Sequence, residues 1–118
     1  MRNGSRIALR ASGMTIVEGA SAMETSKSIR EWGDATFGEV ADLSALVARA
    51  RGELAELEAA IRAGDRAEIG REAADVVILL HRLVALVGAD LAEEVDAKMA
   101  INRARKWYAT GDGTGGHV

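Results

Sequence analysis

Apolar residues between positions 39 and 63 recur at spacings of three and four, which is the repeat of an amphipathic helix. They are Leu43, Leu46, Val47, Ala50, Leu54, Leu57 and Ile61. The pattern stops at Gly64, a residue that suits the C-terminal cap of a helix, and Asp65 with Glu68 then has the form of a capping start. The sequence therefore predicts two long helices that meet in a turn at Gly64.

The remainder of the chain favours the same class of fold. The 118 residues include no proline, and the strong helix formers Ala, Leu, Glu and Arg are abundant. Gly88 followed by Asp90 repeats the stop-and-start signal. We therefore predict an all-α protein whose body helices lie at about 39–63, 66–87 and 91–109.

The two ends of the chain differ from this centre. Residues 1–24 carry three arginines but no sustained apolar run, so we predict a disordered N-terminal extension and no secretory signal. The segment 111–118 is rich in glycine and is predicted to be a flexible tail. One helical domain is predicted between them, over residues 25–110.

Charge and hydropathy exclude several classes of partner. The net charge of −3 provides no broad basic surface for a nucleic acid polymer. The longest apolar run, Val76 to Leu80, is far shorter than the roughly 20 residues that span a bilayer. We expect a cytoplasmic protein without a membrane partner.

The middle helix predicts self-association. Its segment from Val76 to Val87 is apolar on nearly every side, and one short chain has too few other residues to cover it. We predict a homodimer or a dimer of dimers, with this helix at a subunit interface in a core of four-helix type.

Two acidic pairs, Glu53 with Glu56 and Glu72 with Asp75, are each spaced i, i+3, which places both carboxylates on one side of a helix. A single pair of this kind is usually solvated surface charge. However, Glu56 and Glu72 lie equally far from Gly64 on either side, and so do Glu53 and Asp75. In an antiparallel hairpin, equal distances from the turn give equal heights, so the four carboxylates are predicted to converge.

The predicted cluster borders the core, because Glu53 and Glu72 share helix stripes with leucines. Neighbouring ionised carboxylates that lose hydration need a compensating cation. Ligation by oxygen alone favours Mg²⁺, Mn²⁺ or Ca²⁺ over zinc, and Mg²⁺ characteristically shares its remaining positions with waters and substrate phosphates. A di-iron site would require Glu-x-x-His pairs, and His81 does not complete one, so it is interpreted as a structural residue.

The third helix carries Lys98, Asn102 and Arg105 at i, i+4 and i+7, which forms a stripe of two cations and an amide. Such a stripe suits a chain of phosphates. The competing interpretation is a solvated stripe that interacts with the helix dipole. We keep both open on the residues alone.

Trp32 is a candidate for stacking on a nucleobase. A short helix is predicted up to this residue, and Gly33 and Gly38 bracket a break that separates it from the body. The resulting arm would close over a pocket. Packing against a small core is the alternative role for a tryptophan in this position.

As a set, these motifs resemble those of the MazG-like, all-α nucleoside triphosphate pyrophosphohydrolases, which are related to dimeric dUTPases and dCTP pyrophosphatases. The family pattern E-x-x-E, E-x-x-D and K-x-x-x-N-x-x-R matches three stretches here. They are Glu53–Glu56, Glu72–Asp75 and Lys98–Arg105. The similarity covers about residues 28–117, including the arm and the Gly-rich ending.

The resemblance implies that Glu53, Glu56, Glu72 and Asp75 bind Mg²⁺. It also implies that Lys98, Asn102 and Arg105 contact a nucleoside triphosphate. Water would attack the α-phosphorus, giving a nucleoside monophosphate and pyrophosphate, with Glu53 or Glu56 as the base.

The chain departs from the family pattern at one position, because Gly52 stands where many members have a first glutamate. The resemblance therefore implies no additional acidic contact at this position. The alternative to an enzyme is a non-catalytic helical module for protein interaction or nucleotide binding.

Overall fold

The computed structural model describes residues 23–118, in which four helices precede a two-stranded antiparallel sheet. The elements are α1 (Ser26–Phe37), α2 (Ser44–Ala63), α3 (Arg66–Leu86), α4 (Leu91–Ala104), β1 (Trp107–Ala109) and β2 (Gly115–His117). The all-α prediction is confirmed. The extension predicted at 1–24 lies almost entirely outside the described residues. None of the described helices is long and apolar enough to cross a membrane.

Helices α2 and α3 form the predicted hairpin. Gly64 adopts a left-handed conformation (φ +70°) that residues with a side chain rarely adopt, and its N–H donates to the carbonyl oxygen of Ile61 (3.1 Å). The N–H of Asp65 donates to the carbonyl oxygen of Ala60 (3.2 Å), while the Asp65 side chain accepts from the N–H of Glu68 (3.1 Å). The turn thus caps both helices at once.

Helix α1 is longer than the sequence predicts. We predicted an end at Trp32, but the helix continues through Gly33 to Phe37. Gly33 is buried, and a Cβ atom there would lie 2.6 Å from Nε of Arg82 on α3. The glycine therefore permits close packing between two helices instead of breaking one, and the predicted arm is part of the helical body.

The hydroxyl group of Ser26 ties the start of α1 to two other helices. It accepts a hydrogen bond from the N–H of Leu91 (2.7 Å) and is hydrogen bonded to Nδ1 of His81 (2.8 Å). The N–H of Ser26 donates to the side chain of Asp90 (3.1 Å), which also caps α4. Ser26 is fully buried, and His81 has the structural role that the sequence indicated.

Two helix boundaries differ from their predictions. Helix α2 begins at Ser44 rather than near 39, because the Asp42 side chain accepts from both the N–H and the hydroxyl group of Ser44 (2.9 Å each). Helix α4 ends at Ala104 rather than near 109.

The segment after α4, predicted to be partly helix and partly flexible tail, forms a hairpin in which Trp107 pairs with His117. Its turn is held by Asp112, which accepts hydrogen bonds from the hydroxyl groups of Thr110 (2.6 Å) and Thr114 (2.7 Å). These bonds replace those that a longer helix would make.

The core of the described chain is small. Its buried apolar residues are Ile29, Leu46, Ala50, Ala60 and Ala85. Large apolar side chains on α3 and α4 stay partly exposed, among them Val77 (43%) and Val95 (51%). No residue of α4 is buried. The single chain therefore leaves much of the apolar surface of α3 and α4 uncovered.

Candidate metal and nucleotide site

Three of the four predicted carboxylates meet across the hairpin. Glu53, Glu56 and Glu72 each offer one oxygen atom, and these atoms all lie within 4.8 Å of one another. Glu53 and Glu72 are buried at the contact between α2 and α3 (7% and 8% exposed), whereas Glu56 is exposed. The pairing across Gly64 that the sequence predicted therefore brings both helices to one acidic centre.

Asp75 does not join this group among the described residues. It is exposed on α3, and it lines a cavity of about 410 Å³ together with Glu53. Asp75 thus lies beside the centre rather than within it.

Glu72 bears the electrostatic cost of the cluster. A hydrogen bond that its protonated carboxyl group donates to Glu68 raises the pKa of Glu72 to about 7. Loss of hydration and the negative charges of Glu56 and Asp75 shift it in the same direction. The Oε1 atom of Glu72 is buried without a hydrogen-bond partner.

These residues fit a hard divalent cation. The cluster offers oxygen ligands alone, which suits Mg²⁺ or Mn²⁺ rather than a thiophilic metal. A buried carboxylate oxygen normally accepts a hydrogen bond, but the Oε1 atom of Glu72 has no donor. This oxygen is therefore free to act as a metal ligand. A cation would satisfy this oxygen and offset the repulsion within the cluster.

The adjoining cavity has an aromatic side and an acidic side. Trp32 and Phe37 of α1 lie edge to face, with ring centroids 5.6 Å apart. Glu53 and Asp75 also line the cavity, and Trp32 remains 56% exposed. A planar apolar group and a charged group of one ligand would both find suitable surfaces here.

The predicted phosphate stripe lies elsewhere. Lys98 and Arg105 are exposed on α4 and at its C-terminal cap, and Asn102 is half-buried with an unpartnered Oδ1 atom. In the part of the chain that the structure describes, none of the three lines the cavity beside the carboxylates. The structure therefore does not bring the stripe to the acidic centre within one chain.

Three charged residues of the site were missed by the sequence analysis. Glu68 was interpreted only as a capping residue, although it lies one turn before Glu72. Arg49 lies one turn before Glu53 and forms an ion pair with it (3.3 Å). Arg82 lines the cavity, and its signal was a lone cation within the apolar run of α3.

The chain resembles phage enzymes of nucleotide metabolism. No protein-family model matches it. It is 39% identical over 97 residues to a dATP/dGTP diphosphohydrolase of Salmonella phage PMBT28, covering 80% of this chain but 31% of that protein. It is 42% identical over 72 residues to the dATP/dGTP diphosphohydrolase of cyanophage S-2L, covering 61% of this chain and 65% of that protein. The chain thus spans less than two thirds of the length of either relative.

A solved structure gives the broader comparison. The cyanophage S-2L MazG-like pyrophosphohydrolase, bound to dGDP and three catalytic Mn²⁺ ions per active site, superposes with a TM-score of 0.64 at 34% identity. The match covers 79% of this chain and 88% of that one. The helical hairpin with its carboxylates therefore places the chain in one all-α fold class with that structure. The chain belongs to the MazG-like family within that class.

Proposed function

We propose that this chain hydrolyses a nucleoside triphosphate to the monophosphate and pyrophosphate. The observation that carries the proposal is the group of three carboxylate oxygens within 4.8 Å, at the edge of a cavity with an aromatic side. The aromatic side would take the base, with Trp32 stacking on it, and the acidic side would face the phosphates. Relatives named dATP/dGTP diphosphohydrolases make purine deoxynucleoside triphosphates the first substrates to test.

Glu53, Glu56, Glu72 and Asp75 are the proposed metal ligands, for Mg²⁺ or Mn²⁺. When bound, such ions neutralise phosphate charge and orient the leaving group. The neighbour with three Mn²⁺ ions per active site supports a divalent cation in this position. Asp75 is proposed as a ligand at the edge of the metal site, because it lies beside the acidic centre and lines the cavity.

In the proposed reaction, water attacks the α-phosphorus. A bond forms between its oxygen and the α-phosphorus, the bond to the bridging oxygen breaks, and that electron pair leaves with pyrophosphate. Glu53 and Glu56 are the proposed bases for the proton that the water loses. Both come from α2, and Arg49 holds the Glu53 carboxylate by its ion pair.

Lys98, Asn102 and Arg105 are proposed to bind the triphosphate in a homodimer or a dimer of dimers. Two observations support this. The stripe does not line the acidic cavity of its own chain, and the exposed apolar side chains of α3 and α4 lack cover within it. A second copy would bury these side chains and bring a stripe to each site.

Pyrophosphate release in the presence of Mg²⁺ or Mn²⁺ tests the proposal. We expect turnover of dATP or dGTP among a panel of nucleoside triphosphates, and loss of at least about 100-fold in Glu53→Gln and Asp75→Asn, as is usual when a metal ligand or base is removed. Glu58→Gln is the matched control, because Glu58 is an exposed glutamate on α2. It should keep full activity.

Two outcomes would contradict the proposal. Full activity in both substituted proteins would place the chemistry elsewhere in the molecule. Stabilisation by nucleotide without turnover of any member of the panel would instead support the binding module.

A further inference from the structure

Arg82 is the one buried cation among residues 23–118, with 8% of its surface exposed. Burying a guanidinium group is costly unless it is paired, so its contacts show what keeps it in place. They all lie at the end of α1. Its Nη2 atom donates to Oδ1 of Asp34 (3.0 Å) and to the carbonyl oxygen of Gly38 (2.7 Å).

Arg82 supplies what the sequence of α1 lacks. The last turn of this helix has no basic residue of its own, although the carbonyl groups of a helix C-terminus favour a nearby cation. Arg82 provides that cation from α3. Its guanidinium carbon also lies 5.9 Å from the centroid of the Phe37 ring, which is a favourable arrangement for a cation and an aromatic face.

The absence of a side chain at Gly33 makes room for Arg82. A Cβ atom at position 33 would lie 2.6 Å from Nε and 2.9 Å from Cζ of Arg82, closer than non-bonded atoms approach. Gly33 follows Trp32 directly, and Asp34 follows Gly33. Arg82 therefore fixes the turn of α1 that carries the aromatic side of the cavity.

We propose that Arg82 is a positioning residue that sets the affinity for the nucleoside part of the substrate by holding Trp32 and Phe37 in place. The inference rests on the proposed function. Arg82 makes none of its hydrogen bonds or ion pairs to the acidic centre, so its loss should leave cation binding intact. A residue needed only for folding would affect both.

Binding measurements on the full chain in a Trp107→Phe background separate these roles, because Trp32 is then the only tryptophan. The probes are a purine deoxynucleoside, followed by Trp32 fluorescence, and Mn²⁺ alone, followed by calorimetry. In Arg82→Met we expect the Kd for the deoxynucleoside and the KM for the triphosphate to rise about tenfold, the size of effect expected from losing charge-assisted hydrogen bonds. The Kd for Mn²⁺ and kcat should change less than about twofold.

Arg82→Lys tests the geometry. Lysine keeps the charge but lacks the planar fork that joins two acceptors, so it should restore only part of the affinity. Arg66→Met, an exposed arginine on the same helix, is the matched control and should bind both probes normally. If Arg82→Met does not fold, Asp34→Asn is the milder change, because it removes the negative charge of one of the two acceptors, and we expect the same selective loss.

Unchanged affinity for the deoxynucleoside in Arg82→Met or Asp34→Asn would overturn the inference, as would a parallel loss of Mn²⁺ binding. These results would leave the proposed function standing if the unsubstituted chain still hydrolyses a nucleoside triphosphate. An unsubstituted chain that neither binds nor hydrolyses any nucleotide would overturn both.

Discussion

The protonation state that is favoured for the Glu72 carboxyl group differs between the presence and the absence of a cation. Its position between two helices favours the protonated form, because neighbouring carboxylates and lost hydration oppose ionisation. A bound cation would favour the ionised form. The same residue therefore destabilises the metal-free fold and, in the proposed site, contributes to metal affinity.

This conflict predicts how the stability of the metal-free protein depends on pH. The pKa of Glu72 is about 7 in the fold, against an ordinary value of 4.5. Between these values the folded state holds more protons than the unfolded state, so the free energy of unfolding should fall as pH rises from 4.5 to 7. Glu68 acts only below this range, because its pKa is lowered.

Urea unfolding with a chelator present measures the effect. Glu72→Gln should flatten the decline between pH 4.5 and 7, and Glu58→Gln should keep it. A slope that persists unchanged in Glu72→Gln would show that other groups cause it.

Three helical glycines provide a second test at the level of single residues. Gly52 and Gly70 have open space where a Cβ atom would lie, whereas Gly33 faces Arg82. Alanine at 52 or 70 should raise the free energy of unfolding by roughly 0.5–1 kcal/mol, because glycine loses more backbone entropy in a helix. Alanine at 33 should lower it despite the same entropic gain. Urea unfolding of the three variants decides, and a stabilising Gly33→Ala would contradict the close contact.

At the level of elements, local signals were sufficient for the hairpin of α2 and α3. Gly64 and Asp65 fix a turn by short-range hydrogen bonds, and the family pattern of carboxylates depends on that turn. The meeting of Glu53, Glu56 and Glu72 followed from counting residues. The position of Asp75 did not follow from this count, because it depends on the rotation of its side chain about the α3 axis as well as on its distance along that axis from the turn.

The missed features depend on contacts between distant residues. Gly33 has the form of a helix breaker in sequence, and only the Arg82 side chain, from another helix, explains why α1 continues. The hairpin of β1 and β2 was missed for a different reason. Its turn is built by Asp112 and the two threonines, whereas the glycines around them indicated a flexible tail.

Asp112 should therefore be essential for the terminal hairpin. Hydrogen bonds from Thr110 and Thr114 lower its pKa to about 2, so its contribution to stability is present above the ordinary value of 3.8 and is lost as pH falls towards 2. In Asp112→Ala at neutral pH we expect faster amide hydrogen exchange at Thr110 and Val118, whose N–H groups donate to the carbonyl oxygens of Thr114 and Lys106 (3.0 Å each), with unchanged helical circular dichroism. Asp96→Ala, at an exposed position on α4, is the control. Equal exchange in both variants would contradict this role.

At the level of the whole molecule, exposed apolar surface is the dominant feature. Val95 and Met99 lie one turn apart on α4 and are 51% and 38% exposed, although each would be favourable to bury. Val77 on α3 is 43% exposed as well, and a second copy would cover these side chains.

Light scattering at micromolar concentration should therefore give the mass of a dimer or a tetramer. Val95→Glu and Met99→Glu should each shift the protein towards the monomer, because a carboxylate at the contact would be buried without a partner. Asp96→Lys changes charge on the same helix and should not. A monomeric unsubstituted protein would contradict the proposed assembly, and with it the sharing of the Lys98, Asn102 and Arg105 stripe.

The buried hydroxyl group of Ser26 also bears on the order in which the chain folds. Its neighbours Asp90 and Leu91 lie 64 and 65 residues away along the sequence, whereas the hairpin of α2 and α3 closes across a few residues. Long loops are slower to close than short ones, so we expect the hairpin to form before the contacts of Ser26 with Asp90 and Leu91. During synthesis α1 leaves the ribosome first, yet these two partners of Ser26 follow only after α3 is complete. The N-terminus of α1 therefore gains these two hydrogen bonds only after the start of α4 has been synthesised.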